Sequence, residues 1–172
     1  MIKRRMLLSA LAATLLFGVG DLSASELRQP DGPIILTVEG AITNVNTPDG
    51  KAEFDMAMLD ALPQRRFRTA TIWTSGVSEF SGPTLTALLA FVGAKGKTLR
   101  LTALNEYAVE MPAADAFADG PILATRKDGR TLSVRDNGPL WLIYPFDDEP
   151  AYKTEVTYSR SIWQLKSIEV KD

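Results

Sequence analysis

Neither cysteine nor histidine occurs anywhere in the 172 residues. The absence of cysteine excludes disulfides, thiolate metal ligands, iron–sulfur clusters and thiol nucleophiles. The absence of histidine removes imidazole acid–base chemistry and serine–histidine nucleophile systems, and with them the usual zinc and haem ligand sets. A metal held by this chain would have to sit on carboxylates, carbonyls or the atoms of a cofactor. An excess of positive charge is missing as well. Lys+Arg number 19 against 21 Asp+Glu, and the net charge is −2. Nucleic acid is therefore not an expected partner, because phosphate binding needs a basic face. Repeats, low-complexity tracts and interdomain linkers are absent too. What is present is 45% hydrophobic residues in one domain's length of chain, enough for a core without disulfides.

The first residues read as an export signal. Met1-Ile2-Lys3-Arg4-Arg5 is a basic start, Met6 to Gly20 is apolar, and Ser23-Ala24-Ser25 offers small residues for cleavage; together these are the parts of a secretory signal peptide. A membrane anchor is the weaker reading, since the apolar run is short for a span. No cysteine follows it, so no lipoprotein anchor is expected. Residues 1–25 are thus expected to be removed near Ala24 or Ser25. Residues 26–172 are expected to form one periplasmic domain with no membrane insertion.

Within that domain, turn chemistry punctuates short β-prone runs. Strands are expected at Ile34 to Val38, Ala52 to Phe54 and Arg65 to Trp73, the last from its period-two alternation. Asp55 is placed to cap a short helix with Met58, Leu59 and Leu62 on its apolar face and Pro63 as its stop. Thr74 to Ser81 reads as loop. Ser81-Gly82-Pro83 reads as the entry to a second helix with Pro83 at the first position, Leu85, Leu88, Leu89 and Val92 at helical spacing, and Gly93 as its left-handed end. Further strands are expected at Lys97 to Leu104 and Tyr107 to Met111, with Asn105-Glu106 as a tight link, and one helical turn within Pro112 to Phe117. Ile122 to Arg126 and Thr131 to Val134 flank Lys127-Asp128-Gly129-Arg130, an Asp-Gly hairpin signal. Arg135 to Gly138 then turns the chain. Gly138-Pro139-Leu140-Trp141-Leu142-Ile143-Tyr144-Pro145, an apolar run between breakers, reads as a strand buried on both faces in the middle of a sheet. Ser159 to Leu165 reads as short helix or irregular chain, and Ser167 to Val170 as the closing strand. Many short strands with two short helices make an α+β domain with a mixed or antiparallel sheet.

A set of landmarks runs in order through this pattern: Phe80-Ser81-Gly82-Pro83-Thr84-Leu85 with Leu88-Leu89 and Val92-Gly93, Ala103-Leu104-Asn105-Glu106-Tyr107, Met111-Pro112, Ile122-Leu123-Ala124 with Asp128-Gly129, Gly138 to Pro145, and Trp163-Gln164-Leu165 leading to Ile168-Glu169-Val170. Over roughly residues 33 to 171 the chain resembles the molybdopterin-binding domain of the sulfite-oxidase-type oxidoreductases, and within it a small exported subgroup made of that domain alone. The resemblance implies that fold. It also implies a molybdenum–pterin cofactor whose metal takes a cysteine thiolate from the region that corresponds here to Arg68 to Ser78. That region offers Thr, Ser and Trp, with the Ser75 oxygen as the nearest substitute. Trp141 stands where the family often has arginine, and of the histidine or several arginines that usually grip the pterin phosphate in that family, the histidine has no counterpart.

Two functions follow as expectations. One is a non-catalytic binding or interaction module with no cofactor, whose partner is a small ligand or the periplasmic domain of a membrane sensor. The alternative is a molybdopterin-dependent oxidoreductase that works without a cysteine ligand. The residues expected to line a retained cleft are Trp73, Ser75, Asn105, Tyr107, Arg126, Arg135, Asp136 and Arg160. Trp73 is suited to stack on a planar ligand or to sit in a core rim. Asn105 serves a turn or faces a ligand, and Tyr107 offers a hydroxyl or is a cross-strand packing residue. The arginines are suited to clamp an anion or to lie solvated. Asp136 is most simply a turn residue, and the acidic run Asp147-Asp148-Glu149 a solvated loop or a calcium site.

Overall fold

The structure is a computed structural model, and it describes residues 27–172. The expected signal peptide lies outside the described residues. The strands are β1 (Leu36–Gly40), β2 (Ala52–Phe54), β3 (Gln64–Ala70), β4 (Val77–Pro83), β5 (Thr98–Ala103), β6 (Ala108–Pro112), β7 (Ile122–Ala124), β8 (Arg126–Lys127), β9 (Arg130–Thr131), β10 (Trp141–Ile143) and β11 (Leu165–Lys171). The α-helices are α1 (Met56–Ala61), α2 (Leu85–Phe91) and α3 (Glu155–Arg160). Three sheets result: β2-β1-β11-β5-β6, β3-β4-β8-β9, and the pair β10-β7. Among the described residues only the β1–β11 pairing is parallel, so the α+β expectation with a mixed sheet holds.

Period-two burial explains the large sheet. Leu99, Leu101 and Ala103 of β5 are buried while Thr98, Arg100 and Thr102 are not. On β11, Leu165, Ile168 and Val170 are buried, with an irregularity in register between Leu165 and Ser167. The helices cover this core with short apolar faces, Met58 and Leu59 on α1 and Leu85, Leu88 and Leu89 on α2. Each fully buried leucine contributes about 1.5–3 kcal/mol. Asp55 caps α1 as expected, accepting from the Met58 N–H at 2.8 Å. Asp128 and Gly129 both take positive φ, 50° and 75°, the geometry of a two-residue hairpin turn between β8 and β9.

Four expectations are corrected. Thr74 to Ser81 is not all loop: β4 starts at Val77 and pairs along β3 from Val77↔Ala70 to Pro83↔Gln64. Pro83 therefore ends a strand rather than opening α2. Thr84 is the cap instead, its Oγ1 accepting from the Ala87 N–H at 3.1 Å. A third helix, α3, precedes Ser159 to Leu165 for the most part, and Thr154 Oγ1 caps it by accepting from Thr157 N–H at 3.2 Å. Its Val, Thr and Tyr content had masked the helical signal. The Gly138–Pro145 run is buried on both faces, with Trp141 at 1% exposure and Leu142 and Ile143 at 0%, but it is not central in a large sheet. β10 pairs with β7 on one edge. On the other it meets irregular chain, through a bridge to Trp163 and the Leu142 N–H to Ile162 carbonyl bond of 2.9 Å. Gly138 is required at the entry, because a Cβ there would overlap the Leu132 carbonyl.

Candidate functional site

The segment between β3 and β4 is held by side chains at both ends. Thr71 Oγ1 accepts from the Trp73 N–H at 3.1 Å and lies 2.8 Å from Thr74 Oγ1. At the end of β3, the Ala70 N–H donates to Asp147 Oδ2 at 2.6 Å, and the Asp147 N–H donates to Thr69 Oγ1 at 3.1 Å. Lys153 Nζ donates to the other Asp147 oxygen at 2.8 Å. Lys153 first, and then the Ala70 amide, hold the Asp147 carboxyl below its ordinary pKa. Asp148 reaches Arg65 and Glu149 caps the single turn that follows. The acidic run thus fastens this corner together. Among the described residues no group of three His, Cys, Asp or Glu is placed to hold a metal ion.

This corner presents Trp73, and all three tryptophans of the chain meet around it. The Trp73 ring lies 5.7 Å from Trp141 and 5.8 Å from Trp163, and Trp141 lies 6.1 Å from Trp163, all three pairs edge-on. Phe146 and Tyr158 complete the surround of Trp73, at 6.3 and 5.8 Å. Trp141 is anchored further by Phe80 at 5.6 Å and by its Nε1–H, which donates to the Ser161 carbonyl at 3.0 Å. Edge-to-face pairs of this kind are favourable beyond the area they bury.

Trp73 is the wall between two cavities. The first, about 410 Å³, is lined by Trp73, Asn105, Tyr107, Tyr158, Trp163 and neighbouring small or apolar residues. The second, about 780 Å³, is polar; Trp73, Ser75, Lys127, Arg130, Arg135 and Asp136 are among its lining residues. Asn105 and Tyr107 stand together because Asn105 Oδ1 accepts from the Tyr107 N–H at 3.1 Å, while the Tyr107 hydroxyl donates to the Ser159 carbonyl at 3.4 Å. In the second cavity Asp136 accepts from the Ser133 hydroxyl at 2.6 Å. Lys127, Arg130 and Arg135 make no ion pair among the described residues.

The eight expected cleft residues thus divide. Trp73 serves both cavities, Asn105 and Tyr107 the first, Ser75, Arg135 and Asp136 the second. Arg126 and Arg160 line neither. Arg126 grips Asp60 of α1 with two bonds of 2.6 and 2.7 Å, which lower the Asp60 pKa. Arg160 is paired with Asp115 at 2.7 Å. Sequence reasoning did not select Tyr158, Trp163, Lys127 or Arg130. Tyr158 lies on the unexpected helix and Trp163 in irregular chain where periodicity carries no information. Lys127 and Arg130 were absorbed into the hairpin signal.

The donor set does not fit a molybdenum centre of the kind the resemblance implies. The segment expected to carry a thiolate offers hydroxyls and an indole. That indole is packed against Trp141, the buried residue at the position where the family often carries arginine. The polar cavity carries cations and hydroxyls together with the carboxylates of Asp128 and Asp136, and it supplies no soft metal ligand.

No family model matches the chain, and no curated protein matches it. Among solved structures it is similar to the sulfane dehydrogenase SoxCD from Paracoccus pantotrophus, with a TM-score of 0.60 and 19% sequence identity. The match covers 80% of this chain and 38% of that one, so this chain spans well under half the length of its structural neighbour. That likeness shows the fold alone: the chain shares the α+β fold of that structure.

Proposed function

We propose that this protein is an exported, periplasmic, non-catalytic binding module built on the sulfite-oxidase-type fold. The observation that carries the reading is the junction of Trp73, Trp141 and Trp163 at the segment where a catalytic relative would place its metal ligand. Fold alone does not confer chemistry, and here the groups at the site pack and enclose rather than donate to a metal. Export is supported by the basic and apolar leader of residues 1–25. The ligand is a small molecule held beside Trp73, or a partner such as the periplasmic domain of a membrane sensor that docks at the same mouth.

A second reading, a molybdopterin-dependent oxidoreductase working without a thiolate, draws on one observation. Lys127, Arg130 and Arg135 line the polar cavity next to Ser75, a set suited to a phosphate. Metal analysis and pterin fluorescence on protein recovered from its exported form decide between the two. The binding module is expected to be free of molybdenum and pterin; stoichiometric molybdenum with a releasable pterin would overturn it.

A further inference from the structure

The apolar cavity is walled by rings in an unusual disposition. Trp73 meets Tyr158 at 89° and Trp163 at 82°, with centroids 5.8 Å away in both cases. One indole therefore has two aromatic walls standing nearly perpendicular to it. Tyr107, 48% exposed, and Trp163, 36% exposed, stand on the solvent side. Asn105 is at the same rim, its amide oxygen already engaged by the Tyr107 N–H. The lining residues include no charged side chain. The arginine next in sequence to this lining, Arg160, is committed to Asp115.

Those features select among ligand chemistries. An anion would face ring π-clouds with no cation to meet it. A primary ammonium or a metal ion holds its hydration tightly and would find no carboxylate here in exchange. A quaternary ammonium group differs: it is weakly hydrated, spreads its charge over methyl groups, and is attracted to the faces of Trp and Tyr.

We propose that this cavity binds a quaternary ammonium group, carried by a soluble organic cation or by a lipid headgroup. The proposal rests on the reading of the protein as a binding module and adds the chemistry of its ligand. The test is titration of the full mature protein, followed by tryptophan fluorescence and calorimetry, with choline and with its uncharged alcohol isostere in which carbon replaces the nitrogen. Choline is expected to bind at least about tenfold more tightly than the isostere, the margin a cation–π site supplies. Trp163→Leu and Tyr107→Leu, both at exposed positions, are expected to weaken choline about tenfold each, while Asp60→Asn, outside both cavities, leaves it unchanged.

Equal or tighter binding of the isostere overturns the proposal and leaves an apolar binding module standing. Failure of both compounds to bind overturns it as well. Molybdenum and pterin in the exported protein would instead remove the reading beneath it, whatever choline does. Phosphatidylcholine vesicles, set against phosphatidylglycerol vesicles, separate the two sources: retention on the first alone assigns a headgroup, and binding of free choline without vesicle retention assigns a solute. Either result supports the same recognition chemistry.

Discussion

The indole of Trp73 stands edge-on to that of Trp141, centroids 5.7 Å apart and planes at 63°. One residue comes from the segment between β3 and β4, the other from β10, and the pair couples the mouth of the site to a strand buried along its whole length. Trp73→Ala is expected to cost about 2–4 kcal/mol, somewhat below a fully buried tryptophan because Trp73 is only half-buried. Trp73→Phe should recover most of that. Urea unfolding of the three proteins measures it. Near-ultraviolet circular dichroism should change more than far-ultraviolet, since the ring cluster is lost and the sheets are kept. A loss under 0.5 kcal/mol, about the size of an ordinary surface change, would show that the cluster does not bear on stability.

Trp141 tests the departure from the catalytic pattern directly. Trp141→Phe removes the Nε1–H that donates to the buried Ser161 carbonyl; an orphaned buried acceptor costs about 1–3 kcal/mol, added to the lost ring volume. Trp141→Arg restores the residue type often found in the resembling family, yet it places a charge in a position 1% exposed and enclosed by Phe80, Trp73 and Trp163. An unpaired buried charge costs several kcal/mol, so the variant is expected to be recovered misfolded. A soluble Trp141→Arg protein of wild-type stability would mean that the site is ready to accept the catalytic residue.

Much of this scaffold was legible because local chemistry and tertiary fold agreed. The Asp55 cap, the Asp128-Gly129 turn and the double-sided burial of Trp141 to Ile143 follow from residue type and order. β4 was not legible, since Ser81-Gly82-Pro83 carries the signals of a helix start and strand pairing with β3 overrode them. Half of the aromatic site was equally hidden. Trp73 and Tyr107 lie just outside strands that periodicity can find, Trp73 after β3 and Tyr107 immediately before β6. Tyr158 and Trp163 join them only through the path of the chain after Pro150, and no spacing rule connects residues 73, 141 and 163. The two arginines that left the candidate cleft did so for a similar reason: Asp60 and Asp115 are distant in sequence and compete for them.

The Arg126–Asp60 pair ties β8 to α1 and lies outside both cavities. Both side chains are about one-third exposed, 34% and 32%, so solvent screens the pair. Asp60→Asn is expected to cost about 1 kcal/mol at low salt and less at high salt. Choline binding should be unaffected. The Asp60 pKa is lowered by Arg126, so the pair's contribution is present above the ordinary carboxylate range and disappears as pH falls through the depressed value. Chemical denaturation at two ionic strengths and two pH values checks all of these; a loss that does not respond to salt would place the effect in helix packing instead.

Asp55 couples the start of the described chain to α1 through one carboxylate. Its Oδ1 accepts from Met58 N–H at 2.8 Å, and its Oδ2 from the N–H groups of Asp31 and Gly32 at 2.8 and 3.0 Å. Arg28 approaches to 3.4 Å. The Met58 amide first, then those of Asp31 and Gly32 and the charge of Arg28, hold its pKa below the ordinary value. A depressed carboxylate stabilises the fold fully above its unfolded pKa of about 3.9 and loses that contribution as pH falls through the lower folded value. Asp55→Asn keeps one acceptor oxygen but turns an amide donor toward backbone donors, so it is expected to lower Tm at neutral pH by several degrees. The gap between wild type and variant should stay constant from pH 7 to about pH 5 and close below about pH 4. Thermal unfolding of both proteins across that range gives the answer, and a gap that persists unchanged in acid would mean that the carboxylate charge plays no part in holding residues 28–32 against α1.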